Sequence, residues 1–190
     1  MVLATIAILI TGGFQSGLSC PVMGGTATFS SPTTDYNGVR IGYCCGGCKE
    51  TFEKTPKKLF DQTVKAGKTV GVSLFDPVSR TPINFAEHRD FSSTFGGVRF
   101  YFASPENKDA FDKAPKTFGA LPAKEVLFCP VNKVAIASYA AAGAYADYQN
   151  VRYYFCCTNC QAKFNADPAA FAKGVADKVG VPGVANPKPK

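Results

Sequence analysis

Three stretches rich in β-branched and aromatic residues, 39–43, 98–102 and 151–155, recur along the chain, and their composition predicts strands. Each runs into a turn, at 44–48, 103–107 or 156–160. A phenylalanine then stands four residues past the end of each turn: Phe52 after Cys48, Phe111 after Asn107, Phe164 after Cys160. That spacing places both members of each pair on one face of a helix beginning at the turn. Thr55-Pro56 and Asp167-Pro168 next read as a cap residue followed by proline in the first helical position. The last helix is expected to run to Val179 and stop at Gly180, with Pro182 beyond.

Aligned on these turns, the chain falls into three repeats. The first (20–62) opens Cys20-Pro21-Val22, passes Asn37-Gly38-Val39-Arg40 and ends with Phe52, Pro56 and Leu59. The second (73–121) opens Asp76-Pro77-Val78, passes Gly96-Gly97-Val98-Arg99 and ends with Phe111, Pro115 and Phe118. The third (126–179) opens Cys129-Pro130-Val131, passes Asn150-Val151-Arg152 and ends with Phe164, Pro168 and Phe171. Residues 65–71 and 121–125 read as links. Residues 135–148 are an Ala/Tyr-rich insertion, read as an extra strand or a surface loop. Residues 180–190 form a Pro/Lys tail expected to be disordered. The prediction is an α+β protein of short antiparallel strands, each set followed by a helix.

Units of this size are near the limit of what folds alone without a metal, a disulfide or a partner. The middle repeat has no cysteine, yet it keeps the apolar and turn positions and adds Phe85, Phe91 and Phe95. The fold is therefore expected to persist without metal, and the outer cysteines to serve chemistry more than stapling.

All eight cysteines belong to two matching sets: Cys20, Cys44, Cys45, Cys48 and Cys129, Cys156, Cys157, Cys160. Cys44 and Cys48, like Cys156 and Cys160, are four apart and share a helical face, whereas Cys45 and Cys157 point about 100° away. Cys20 and Cys129 arrive from elsewhere as third ligands. Exposed N–H groups at a helix N-terminus favour thiolates. Three converging thiolates suit Cu(I) or Zn(II), with the fourth position left to the adjacent cysteine, a water or a partner's ligand.

The pattern Cys/Asp-Pro-Val, Gly or Asn before a strand, Tyr/Phe-Phe-Cys, a second Cys four on, then Phe and Pro resembles the YHS domain, a relative of the TRASH metal-binding module. The third repeat carries it as Cys129-Pro130-Val131, Tyr154-Phe155-Cys156, Cys160, Phe164 and Pro168. The second is similar to the cysteine-poor variant, with Asp76, His88, Gly97, Tyr101-Phe102, Asn107, Phe111 and Pro115. The resemblance implies three treble-clef-like units and a role in heavy-metal binding, trafficking or sensing, with a possible protein partner in metal transfer. It implies Cys20, Cys44, Cys48, Cys129, Cys156 and Cys160 as ligands, with Cys45 and Cys157 as possible additional ones.

Charge and the N-terminus add two points. Of the formal +7, residues 20–72 hold seven Lys/Arg against four Asp/Glu, 73–125 seven against seven, and 126–190 seven against three. The basic excess thus accompanies the cysteines, and ionised thiols would cancel much of it. No basic run marks a nucleic-acid stripe. Residues 2–10 are apolar but too short to span a bilayer. Residues 1–19 read as a secretory signal peptide, lacking a preceding Lys or Arg, with cleavage just before Cys20 and a periplasmic or secreted product.

Two other chemistries fit the same cysteines: a disulfide-stapled interaction module, usual for an exported chain with an even cysteine count, and thiol redox at the C-x-x-C pairs Cys45/Cys48 and Cys157/Cys160. His88, the single histidine, reads as structural, Asp76 as a turn or cap carboxylate, and Met23 as packing beside a possible thioether ligand. No paired carboxylates, Ser/His/Asp set or phosphate loop is present, so a binding protein is expected rather than an enzyme.

Overall fold

The computed structural model of the chain describes residues 17–29, 32–85, 87–88 and 90–185. Most of the expected signal segment, residues 1–16, lies outside the described residues. The protein is mixed α+β, with small sheets flanked by short helices.

A two-stranded hairpin followed by two helices occurs three times. The first set is β1 (Thr34–Tyr36), β2 (Val39–Ile41), α1 (Gly47–Lys54) and α2 (Pro56–Lys65). The link strand β3 (Gly71–Ser73) follows. The second set is β4 (Ser92–Phe95), β5 (Val98–Tyr101), α3 (Pro105–Lys113) and α4 (Pro115–Phe118). After β6 (Lys124–Val126), β7 (Phe128–Cys129) and β8 (Val134–Ala135) comes the third: β9 (Ala144–Tyr148), β10 (Val151–Phe155), α5 (Thr158–Ala166) and α6 (Pro168–Lys173). Each hairpin turns on two residues of positive φ: Asn37-Gly38, Gly96-Gly97 and Gln149-Asn150. That conformation matches the right-handed strand twist and explains the Asn and Gly found there.

An aromatic residue at or just past the end of each second strand packs on the helix that follows. Tyr43, Phe102 and Phe155 meet Phe52, Phe111 and Phe164 at centroid distances of 6.0, 5.1 and 5.2 Å, and all six rings are buried. Each buried ring contributes about 1.5–3 kcal/mol. These contacts fix the first helical turn against the strand end, which is where the cysteines stand.

Each expected link, 65–71 and 121–125, runs into a short strand at its C-terminal end. β3 pairs antiparallel with β2 and parallel with β5, giving one five-stranded sheet in the order β1-β2-β3-β5-β4. β6 pairs parallel with β10 beside β9 in a three-stranded sheet. The 135–148 insertion supplies β9, the first strand of the third hairpin. Two apolar cores result. One holds the first hairpin–helix set and most of the second; the other holds the third set with Leu74 and Phe75. Phe75 belongs to the second core, with ring contacts to Tyr145 and Tyr154 at 5.4 and 5.8 Å, and the partly buried Phe85 packs against both cores.

Three expectations need correction. The final helix ends at Lys173, not Val179: Gly174 caps it, and only the short turn Ala176–Lys178 follows. The tail is ordered as far as Ala185. Val184 bridges Tyr36, the Ala185 N–H donates to the Asp35 carbonyl, and the Gly183 carbonyl accepts from the Tyr139 hydroxyl. Residues 186–190 lie outside the described residues. Leu18 and Ser19, on the leader side of the expected boundary at Cys20, belong to the fold: Leu18 is buried and bridges Thr69, and Ser19 bridges Thr26. As for the caps, Asp167 accepts from the Ala170 N–H, whereas Thr55 holds the cap position without a side-chain bond.

Candidate metal centre

A tight turn presents the first member of each cysteine set. Bridges seven residues apart close it: Ser19 to Thr26 and Phe128 to Ala135. The cysteine carbonyl accepts from the N–H four residues on, Gly24 or Lys133, and both of those take positive φ. Proline after the cysteine helps fix the bend. The enclosed N–H groups then face the sulfur; the Asn132 N–H lies 3.5 Å from Cys129 Sγ.

The other cysteines come from the strand-to-helix turn. Cys44 and Cys156 follow the last buried aromatic of the strand. Cys48 and Cys160 are buried in the first turns of α1 and α5, four residues before Phe52 and Phe164 on the same face. The structure brings six of the expected ligands into two triads, Cys20/Cys44/Cys48 and Cys129/Cys156/Cys160, whose sulfurs all lie within 4.8 Å of one another. Cys44 and Cys48 are 3.9 Å apart; Cys156 is 3.7 Å from both Cys129 and Cys160. A thiolate tetrahedron around zinc, with Zn–S near 2.3 Å, has edges of about 3.8 Å. The donor set and its spacing therefore fit a thiophilic ion, with one position left open.

Cys45 and Cys157 fall outside the triads. Each sits beside one triad member, with Sγ 3.2 Å from Cys48 Sγ and 3.4 Å from Cys160 Sγ, respectively. All eight thiols are free.

Within each cluster the thiols titrate unequally. Burial pushes Cys20 up, but N–H groups of Met23, Cys44 and Val22 and the Cys44 thiol bring it below the ordinary 9.0. Cys129 is lowered in the same way against its burial, by Asn132, Cys156 and Val131. Burial, with the neighbouring sulfurs Cys45, Cys20 and Cys44, pushes Cys48 far up; Cys160 responds likewise beside Cys157, Cys156 and Cys129. The Cys20 hydrogen bond raises Cys44, and burial raises Cys156. Cys45 is lowered by the Cys48 thiol, and Cys157 by the Cys160 N–H. Crowded sulfurs resist ionising together, and a cation removes that resistance.

Asn132 was not singled out by sequence. Its Nδ2 donates to Cys156 Sγ at 3.2 Å, so one residue serves two ligands. Its only signal is its place three after Cys129, where Met23 follows Cys20. Met23 is exposed there and gives its N–H to Cys20.

The cysteine-free segment builds the same junction from hydrogen bonds. The turn at Asp76 is closed by the Phe75–Pro82 bridge, and Arg80 takes positive φ. Asp76 Oδ1 accepts from the N–H groups of Val78 and Ser79, and Oδ2 from the Ala103 N–H and Asn107 Nδ2. Asp76 stands in register with Cys20 and Cys129, Ala103 with Cys44 and Cys156, and Asn107 with Cys48 and Cys160. Ser104, in register with Cys45 and Cys157, caps α3 by accepting from the Asn107 N–H. His88 joins neither triad and lies 3.9 Å from a Glu87 carboxylate oxygen.

No family model, curated protein or solved structure matches the chain. Among the described residues, no helix is long and apolar enough to cross a membrane.

Proposed function

We propose that the protein is an exported heavy-metal-binding protein that holds one thiophilic ion, Cu(I) or Zn(II), at each cysteine triad. Its role is metal handling or sensing, with transfer to or from a protein partner, rather than catalysis. The observation that carries this reading is the duplication of a three-sulfur site at ligand spacing, built on two corresponding turn–helix junctions. The three hairpin–helix segments read as copies of one treble-clef-like unit related to the YHS domain. The middle copy is the metal-free member, in which the Asp76 carboxylate, at the register of a ligand cysteine, ties turn to helix through hydrogen bonds.

Three sulfurs with an open fourth position favour exchange over permanent structural binding. The helix N-termini and the turn N–H groups partly offset the negative charge of the thiolates, which keeps an assembled site accessible to an incoming ligand.

Anaerobic purification followed by elemental analysis and thiol titration tests the reading. Two ions per chain are expected, one for each triad. Cys44→Ser combined with Cys156→Ser should abolish both. A reduced protein that takes up neither ion would overturn it.

A further inference from the structure

Each cluster contains one thiol more than its triad. The extra thiol is not needed to cap the helix, because Ser104 does that in the metal-free segment with an ordinary hydroxyl. Nor does it fall within the spacing shared by the triad sulfurs. It nevertheless lies close to one triad member: 3.2 Å for Cys45 and Cys48, 3.4 Å for Cys157 and Cys160. Both values are shorter than the 3.7–3.9 Å of the Cys44–Cys48, Cys129–Cys156 and Cys156–Cys160 pairs. A disulfide needs about 2.05 Å, so closure takes an approach of a little over 1 Å within one helical turn. Cys45 is exposed and Cys157 partly so, which opens both to a soluble oxidant, while their partners Cys48 and Cys160 are buried.

From this geometry we propose that Cys45–Cys48 and Cys157–Cys160 are disulfide-forming sites, and that closing them releases the metal ion. The release half rests on the metal reading above; the disulfide half does not. The co-reactant is a low-molecular-weight disulfide, RSSR. The sulfur of Cys157, outside the triad, attacks one sulfur of RSSR, forming the Cys157–SR mixed disulfide and expelling RS⁻. The Cys160 sulfur then leaves the metal and attacks Cys157 Sγ, forming the Cys157–Cys160 bond and expelling a second RS⁻. The protein loses two electrons, RSSR becomes two thiolates that take up the proton shed by Cys157 and one from water, and the ion is left with two of its three sulfurs. Cys45 and Cys48 follow the same course. Retention of metal thereby depends on the thiol–disulfide poise of the surroundings.

The test loads reduced protein with zinc, adds oxidised glutathione, follows zinc release with a chromophoric chelator and maps disulfides by peptide mass spectrometry. Cys45→Ser and Cys157→Ser are the informative variants, since the fold already accommodates serine at that position in Ser104. Wild type should release zinc as Cys45–Cys48 and Cys157–Cys160 bonds appear. The double variant should bind zinc equally in the reduced state and release it at least about tenfold more slowly. Equal release rates, or disulfides among triad members in place of these pairs, would overturn the proposal. Weaker zinc binding by the variants before any oxidant is added would also overturn it and make Cys45 and Cys157 fourth ligands. If reduced wild type takes up neither zinc nor Cu(I), the metal reading fails and takes the release half with it; if it takes up Cu(I) alone, the same release assay is run with Cu(I). Peptide maps of the oxidised metal-free protein then still decide the disulfide sites.

Discussion

Asp76 Oδ2 accepts a 2.7 Å hydrogen bond from Asn107 Nδ2, tying a turn to a helix N-terminus at the register where the flanking segments place two sulfurs. The carboxylate is fully buried and takes four hydrogen bonds. Asp76→Ala should therefore destabilise the protein by about 3 kcal/mol or more, since several donors lose a charged acceptor at once. Metal content should stay at the wild-type level. Denaturant titration with parallel elemental analysis checks both.

The same register makes a constructive prediction. Replacing Asp76, Ala103 and Asn107 together with cysteine should create a third thiolate site, raising the ion count by one per chain. An unchanged count in a folded variant would show that position alone does not make the site.

Arg152 is buried, donates to both oxygens of Asp147 across the third hairpin, and lies 3.9 Å from the Tyr145 ring centroid. Asp147→Ala strands that guanidinium and should cost about 2 kcal/mol, reduced from the value for a fully buried pair because Asp147 is partly solvated. The double variant Asp147→Ala/Arg152→Met should recover part of the loss, as read from urea midpoints.

Glu125 is buried, and its burial raises its pKa above the ordinary 4.5, against the hydrogen bond from Tyr139. The Tyr139 hydroxyl lies 2.6 Å from Glu125 Oε1 and 2.8 Å from the Gly183 carbonyl, one proton for two acceptors. A protonated Glu125 supplies the second. Because the folded value is the higher one, this group's contribution is complete below the unfolded pKa of about 4.5 and falls as pH rises through the folded value. Glu125→Gln, which keeps a donor without the charge, should match wild type near pH 4 and exceed it at pH 7. A stability difference independent of pH in the reduced, metal-free protein would contradict this.

Leu18 is buried in the first core, and the Ala27 N–H donates to its carbonyl. Leu18→Ala should cost about 2–4 kcal/mol. A chain shortened to begin at Cys20 should be destabilised at least as much, since it also loses the Ser19 bond to Thr69. Thermal melts of chains beginning at residues 17 and 20 compare them directly.

The second strand of each hairpin was legible because β-branched and aromatic residues cluster there beside turn residues suited to positive φ. The triads were legible because four-residue spacing and a strand-to-helix turn determine which thiols share a face. β3 and β6 were hidden: they are three residues long, sit in link-like sequence and gain stability from parallel partners far along the chain. β9 was left open between strand and loop because alanines give little alternation. The tail read as featureless since its anchors are mostly backbone groups, which composition does not reveal. Asn132 escaped notice for a related reason, as its role depends on a sulfur 24 positions away.

The division into two apolar cores, with Phe85 packed against both, has a calorimetric consequence. The chain should melt in two endotherms of unequal enthalpy. The larger should belong to the unit carrying the first triad and most of the metal-free segment, and the smaller to the unit carrying the second triad. Each ion should raise the temperature of its own endotherm, so the order in which the sites empty is written in the shape of the trace.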